Sequence, residues 1–562
     1  MAANGTSGSL PVISALETLT ATTTTPATIA VAVVVGLLLL LHSLSPRVDA
    51  REPPVVKPRI PFIGHALGMM RQQAQYHVAL QRATGKPIAT LPMLTGKMYA
   101  VWDPHLIAAG LRNKALSTTP HMKAVTPAVT GLSAPMVDML GSPAGDHLVD
   151  RIMLHAIPPS FKGASAQHLT TTALAGLARE LSALARPEKP PTPAAAAAAT
   201  TTIPNTWLWL RHLLTATTGP ALYGPADPFA QHAPHAEAAL WDFEKALLAL
   251  SVGLPTRAGR RARAALVRAL EPYYAARRDE DAAASAFVRN RAAELRAAGM
   301  GADDVARLEV MLPFAALANT VPLLFWFLGF VFSRRELVGA LREEVEAALV
   351  VGRTEDAEAG GGGGGASVTL RTGPAVEERC PRLMSCYRET LRYTVHQVIT
   401  RTAMQDTVLV GRDGREYLLK EGSVVQMSIG ASHTQAEFWG EDVDEFKPGR
   451  FLSQSQGGHK GGSDGGDGPG SVKAMRAALQ PFGGGTHLCP GRHFAFAEIM
   501  AVMSTLLLGF EIEPLGGDWT LPPFATRSLI DAVTKPAKHG EGFGIKIKRR
   551  PGWEDVRWNF EL

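Results

Sequence analysis

Cysteine is scarce in this chain: three occur in 562 residues, Cys380, Cys386 and Cys489. So sparse and odd a set excludes a disulfide framework and points to a reducing compartment. Cys380 and Cys386 stand six apart, which fits neither a zinc ribbon nor a redox CxxC pair, so both read as ordinary thiols. Excess charge is scarce too. The 56 basic and 51 acidic residues leave a formal net charge of +5, too mild for a nucleic-acid-binding protein, and no basic tail interleaved with aromatics occurs. No internal repeat is evident. Apolar residues are plentiful instead, at 46%, enough for a sizeable core in a chain of this length.

Lys and Arg are absent ahead of the apolar run Ala27–Leu44 (ATIAVAVVVGLLLLLHSL), whereas Arg47, Arg51, Lys57 and Arg59 follow it closely. About eighteen apolar residues approach the length of a bilayer span, and the charge asymmetry places the start outside and the remainder in the cytoplasm. Residues 27–46 are therefore expected to form a single transmembrane anchor in the endoplasmic reticulum, with residues 1–26 as a lumenal tail. A cleaved signal peptide, the rival reading, needs a basic n-region and a small-residue cleavage site, which Arg47, Val48 and Asp49 supply poorly. Asn4-Gly5-Thr6 is a glycosylation sequon that would face the lumen.

After the anchor, residues 47–61 contain PPVVKPRIP, whose prolines hold an extended hinge. Residues 62–562 are expected to form one large domain, because apolar helical segments lie on both sides of each interruption. Those interruptions, the Pro/Ala tract at 187–199, the glycine run at 360–365 and the glycine-rich stretch at 457–470, read as surface insertions. Helical periodicity runs over 66–84, followed by the strand-like LPMLT and KMYAVW, and helical patterns dominate beyond. The arginine-rich segment 257–278 reads as a solvated helix face, with a negatively charged partner or membrane surface as the alternative. Val310–Phe332 is long enough for a second span, but Asn319 and Thr320 at its midpoint, bracketed by Pro313 and Pro322, predict a buried core helix distorted beside a polar site.

Chemistry concentrates in Pro481–Glu498, PFGGGTHLCPGRHFAFAE. Glycines 483–485 would let the backbone pass close to a flat group. The apolar helix expected from Arg492 to Leu508 would set the Cys489 sulfur at a helix N-terminus, where the dipole and free N–H groups favour a thiolate. Taken alone, a cysteine in a glycine-rich turn is more often a plain buried thiol than a ligand. The pattern Phe482-x-x-Gly485-x-x-x-Cys489-x-Gly491, continued by Arg492-x-Phe494-Ala495, closely resembles the haem-binding loop of the cytochrome P450 family. Glu389-Thr390-Leu391-Arg392 and Phe446-Lys447-Pro448-Gly449-Arg450-Phe451 precede it in that family's order.

The resemblance implies a mainly helical fold with a minor sheet, holding haem b with Cys489 as axial thiolate to the iron and Phe482 on the sulfur side. Glu389, Arg392 and Arg450 would form the structural triad, and Arg401 would pair with a haem propionate, a task suited to its bidentate fork. His487 replaces the usual arginine two before the cysteine. The early-helix Trp-x-x-x-Arg survives only as spacing, at His147 and Arg151, both taken as candidate haem contacts together with Gly485 and Gly491. On the oxygen side the run is Ala316-Leu317-Ala318-Asn319-Thr320, with asparagine where the family usually carries an acid. Thr320 and Asn319 are the catalytic candidates: a hydroxyl can pass protons through water, while asparagine can only position that water. Val395, Val398, Ile399 and Ala316 are the expected substrate-pocket residues.

This Asn-Thr-x-Pro run and the segment PPVVKPRIPFIGHALGMM resemble the subgroup with sterol 7α- and 12α-hydroxylases, prostacyclin synthase and fungal biosynthetic members. The implied function is a haem monooxygenase acting on a hydrophobic terpenoid, steroid-like or polyketide-type substrate in secondary-metabolite biosynthesis. Its partners would be NADPH-cytochrome P450 reductase and cytochrome b5. A reductase-independent isomerase or dehydratase of the prostacyclin-synthase type is the alternative, and a non-catalytic protein with two membrane spans the remote one.

Overall fold

The computed structural model describes residues 31, 36, 48–60, 63–93, 96–186, 200–355, 366–452, 471–526, 528–538 and 540–562. The expected tail with Asn4, the anchor apart from Val31 and Gly36, and the interruptions at 187–199, 360–365 and 457–470 lie outside the described residues.

The elements that frame the site are, in chain order, α1 (Gly64–Gln72), α2 (Ala74–Thr84), β1 (Ile88–Met93), β2 (Gly96–Val101), α3 (Pro104–Arg112), β3 (Leu116–Ser117), α4 (Thr119–Thr130), α5 (Gly163–Ala183), α6 (Thr206–Tyr223), α7 (His235–Ser251), α8 (Arg257–Ala275), α9 (Met311–Leu317), α10 (Thr320–Phe332), α11 (Pro381–Thr394), β4 (Val398–Ala403), β5 (Val424–Ser428) and α12 (Arg492–Gly509). The helical pattern over 66–84 becomes two helices because Gln73 adopts φ 49° between them. LPMLT and KMYAVW contribute to the antiparallel pair β1–β2, with Ile88 opposite Val101. These strands open a five-stranded sheet of order β1-β2-β5-β4-β3, in which β5 runs parallel to β2 and antiparallel to β4. The proline-rich stretch lies along this sheet: Val55 bridges to Thr90, and Glu52 is buried against Lys97 at 2.6 Å and the Tyr99 hydroxyl at 2.7 Å.

Helices supply the main core. α5 packs on α6 and α12, α6 on α10, and α10 also on α11 and α12. All thirteen residues of α10 are buried, as an element apolar all round its circumference requires. The run 310–332 is thus a core helix with the expected distortion, at Ala318–Asn319, where α9 ends and α10 begins. Pro322 has no N–H for the Ala318 carbonyl, so the ladder lapses there. Among the described residues, Ala302–Phe332 and Arg492–Gly509 are long and apolar enough to cross a membrane, yet 78% and 83% of their most apolar windows are buried. The second span of the two-span alternative is therefore a core helix. On α8, Arg257, Arg260, Arg261 and Arg268 are exposed while Leu266 and Leu270 are buried, the solvated face expected.

Candidate functional site

The loop before α12 is shaped by two left-handed glycines, Gly483 at φ 71° and Gly485 at φ 64°. A Cβ on Gly485 would lie 2.0 Å from the Leu111 carbonyl oxygen, so side-chain-free backbone is needed there to clear α3. The loop closes through Cys489 N–H to Phe482 O at 3.0 Å, and Arg492 Nη1 donates to Cys489 O at 3.0 Å. Burial raises the Cys489 thiol, opposed by the Gly491 and Arg492 N–H groups and the Arg492 charge. The expected helix-terminus effect is present but outweighed by burial, so deprotonation would fall to a bound metal. By contrast, Cys380 and Cys386 are fully buried thiols pushed up to about 12 by burial, inert as expected.

Behind the loop the structure gathers Glu389, Arg392 and Arg450 into one buried cluster. Arg392 donates to both carboxylate oxygens of Glu389, at 2.7 and 2.8 Å, and Arg450 Nε lies 3.0 Å from Oε1. Asp442 takes Arg450 at 2.6 Å, and the carbonyls of His433, Val443 and Glu445 accept the remaining Arg392 protons.

A cavity of about 410 Å³ separates the cysteine loop from the α9–α10 break, within the range of small-molecule sites. Cys489, Phe482, Gly491 and Phe494 line one side, and Ala316, Asn319, Thr320 and Leu323 another. Thr320 Oγ1 donates to Ala316 O at 3.0 Å. Asn319 Oδ1 accepts from Val533 N–H at 3.4 Å, tying the break to a distant segment of the wall. Arg401 and His487 also line the cavity. Arg401 is 2% exposed and bonds Leu116 O through Nη1 at 3.1 Å. Its Nε and the buried Thr118 Oγ1, another lining residue, have no partner among the described residues. Burial and the Arg401 charge lower His487, so neutral imidazole stands beside the guanidinium.

Unsatisfied buried donors are costly, and donors of this kind beside an apolar slot floored by a thiol suit a flat apolar group that carries carboxylates. Among the described residues no group of three or more His, Cys, Asp or Glu side chains could hold a bare metal ion. An iron at Cys489 would bring its other ligands with it, as haem does.

Four expected contacts are placed elsewhere. His147 and Arg151 are exposed and do not line the cavity; Arg151 pairs with Glu294 at 3.2 Å instead. Gly485 faces Leu111 rather than the cavity. Val398 turns away from it as well. Val395, Gln397, Ile399 and Arg401 line it, because side chains along the segment leading into β4 alternate in direction and only one parity faces inward. Gln397 lies in the stretch 395–400 that the family resemblance marks as pocket-lining, whereas Thr118, His121, Phe161, Phe287 and Val533 are lining residues that sequence reasoning missed, because they arrive from distant elements with no local signal.

A sequence model of the family described as "Cytochrome P450" matches residues 261–540. A "Cytochrome P450 monooxygenase" of Gibberella zeae is 35% identical over 538 residues, spanning 93% of this chain and 94% of that protein. "Cytochrome P450 monooxygenase nodJ" of Hypoxylon pulicicidum is 28% identical over 94% of this chain and 96% of its own length. The human "7-alpha-hydroxycholest-4-en-3-one 12-alpha-hydroxylase" is 28% identical over 38% of this chain and 40% of its own. With a relative this similar over nearly its whole length, and a cysteine loop facing a broken core helix across one cavity, the chain belongs to the cytochrome P450 family.

Proposed function

We propose that this cytochrome P450 is a haem-thiolate monooxygenase that inserts one oxygen atom of dioxygen into a C–H bond of a hydrophobic substrate. The observation that carries the reading is the meeting, in one cavity, of Cys489, the Asn319–Thr320 break and the unpartnered buried atoms Arg401 Nε and Thr118 Oγ1. Haem b bound through Cys489 supplies dioxygen activation, with electrons from NADPH delivered by NADPH-cytochrome P450 reductase and cytochrome b5.

The chain's own residues do the rest. Arg401, His487 and Thr118 would take the haem carboxylates, Phe482 and Gly491 cover the sulfur side, and the Glu389, Arg392 and Arg450 triad braces the fold behind the loop. Thr320 spends its proton on Ala316 O, so it meets a cavity water as acceptor and holds it for proton transfer. Asn319, with no titratable proton, orients through its amide. Ala316, Val395 and Ile399, with Met122, Phe161 and Phe287, give the cavity its apolar lining, which suits a terpenoid, steroid-like or polyketide-type substrate. The relatives named as monooxygenases support the reaction class, and the place we assign it in secondary-metabolite biosynthesis rests on the resemblance of its Asn-Thr-x-Pro run to fungal biosynthetic members. Residues 27–46 would anchor the domain to the cytoplasmic face of the endoplasmic reticulum.

Two measurements test this reading. Reduced protein exposed to carbon monoxide is expected to give a red-shifted absorption band that Cys489→Ala eliminates. Turnover is expected to require NADPH, reductase and dioxygen together; conversion of an already oxygenated substrate without them would overturn the monooxygenase reading in favour of an isomerase.

A further inference from the structure

A second cluster of charge lies behind the cavity wall. Ala532 and Val533 line the cavity, yet the segment that carries them, 528–536, belongs to no helix and pairs only through single bridges of Val533 to Val395 and Pro536 to Phe524. Four hydrogen bonds hold its inner side. His396 N–H donates to Ala532 O at 2.8 Å and Thr534 N–H to Thr394 O at 2.9 Å. Trp326 Nε1 donates to Thr534 O at 2.8 Å, and Val533 N–H to Asn319 Oδ1 at 3.4 Å.

Its outer side is held by charge and by one backbone bond, Ala525 N–H to Lys535 O at 2.7 Å. Lys535 pairs with Glu244 of α7 and, at 3.0 Å, with Asp531; the side chains of Lys535, Glu244 and Asp531 are only 13%, 6% and 21% exposed. These three line a polar pocket of about 340 Å³, to which Gln73, Lys245 and Lys538 also contribute. Between Asp531, Lys535, His396 and Thr534 lies a void of about 40 Å³, room for one water. Burial lowers the Lys535 ammonium and raises the Asp531 carboxyl, so each charge persists only while its partner stays in place. The Glu244–Lys535 pair thereby joins chain positions 291 residues apart, one on a helix and the other two residues beyond the cavity-lining Val533.

We infer that Glu244, Lys535 and Asp531 are positioning residues of the substrate cavity: by clamping the outer side of 531–535 to α7, they fix where Ala532 and Val533 stand and so how bulky a ligand the cavity accepts. The inference rests on the cavity being the ligand site of a haem enzyme, as proposed above. Asn319 becomes part of the same device, since its amide carries the inner end of the tie.

The test titrates the ferric enzyme with imidazole and with 4-phenylimidazole, reading the optical shift of the haem band, and measures amide hydrogen exchange over 528–536. In Lys535→Met, affinity for 4-phenylimidazole is expected to change at least about fivefold while that for imidazole stays within about twofold, and exchange at Val533 and Thr534 to quicken at least about tenfold. Glu244→Gln, which leaves the Asp531–Lys535 contact, is expected to act in the same direction but more weakly. Equal changes for both ligands, or unchanged exchange at 531–535, overturns the inference. Should Lys535→Met fail to fold, Glu244→Gln decides by the same criteria. A wild-type preparation with no red-shifted carbon monoxide band would refute the haem-thiolate reading instead, and the exchange measurement would still test the clamp.

Discussion

On the cysteine side of the cavity every guanidinium nitrogen of Arg392 has a partner, and Glu389 takes both Arg392 and Arg450 in full burial. Across the cavity the wall has its own backbone bonds and Trp326, but few side-chain ties besides: Asn319 reaches Val533 through one bond of 3.4 Å, the Thr534 hydroxyl has no partner among the described residues, and Lys535 supplies the ion pairs. One side is therefore over-determined and the other hangs on a few replaceable ties. Buried ion pairs that satisfy every proton fix geometry at the cost of adaptability, which suits a cofactor that never changes. Sparse ties suit a wall that has to match one substrate.

The contrast is sharpest at Glu389. Glu389→Ala would leave the buried Arg392 without a carboxylate and Arg450 with Asp442 alone, and is expected to cost about 3–5 kcal/mol, a large part of a total of about 5–15. Denaturant unfolding measures it, and a loss below about 1 kcal/mol would put the triad on a par with a surface pair and erase the comparison.

Two neighbouring positions separate wall from core more finely. Val398→Ala, buried and turned from the cavity, is expected to lower stability by about 1–2 kcal/mol with ligand affinity unchanged. Gln397, a polar residue among those lining the cavity, should behave in the opposite way. Gln397→Leu is expected to shift affinity between an oxygenated ligand and its deoxy analogue by about tenfold at unchanged melting temperature. Thermal scans and spectral titrations of the two variants check the pair, and matching profiles would show that the alternation of direction does not govern the site.

The smallest effect concerns pH. Glu498, on α12 beyond the cysteine, is buried with Thr218 donating at 2.7 Å, and burial raises its carboxyl to about 8. The folded protein then keeps a proton that the unfolded chain has already released, so stability falls as pH rises from the ordinary glutamate range to about 8 and levels off above. Below the ordinary value both states are protonated and the contribution is complete. Glu498→Gln is expected to flatten this slope in unfolding measured across that window; an unchanged slope would mean the carboxyl is already ionised in the fold.

Much of this was legible in sequence because the signals were local. Helix 310–332 announced its burial by its apolar circumference and its break by Asn319, Thr320 and Pro322. The order of Glu389, Arg392, Arg401, Arg450 and Cys489 pointed to their grouping through resemblance to a known family, and the structure brings Glu389, Arg392 and Arg450 into one buried cluster and Arg401 and Cys489 into one cavity. Spacing misled where a single element was read without its neighbours. His147 and Arg151 share a helical face, but that face turns to Glu294 and solvent. Gly485 needs its missing Cβ for the Leu111 carbonyl, a contact from more than 370 residues earlier.

The sequence alone determined which residue types could do the chemistry: one cysteine in a glycine loop, one hydroxyl beside a helix break, and no acid next to it. Only the tertiary structure decided what surrounds them. Thr118 comes from the residue just before α4 and His121 from α4 itself, Phe287 from the helix Ala286–Ala297, and Ala532 and Val533 from an irregular segment held to α7 by Lys535. Periodicity reports which face of an element is buried, but not which distant element covers it, since that choice depends on packing the whole chain at once.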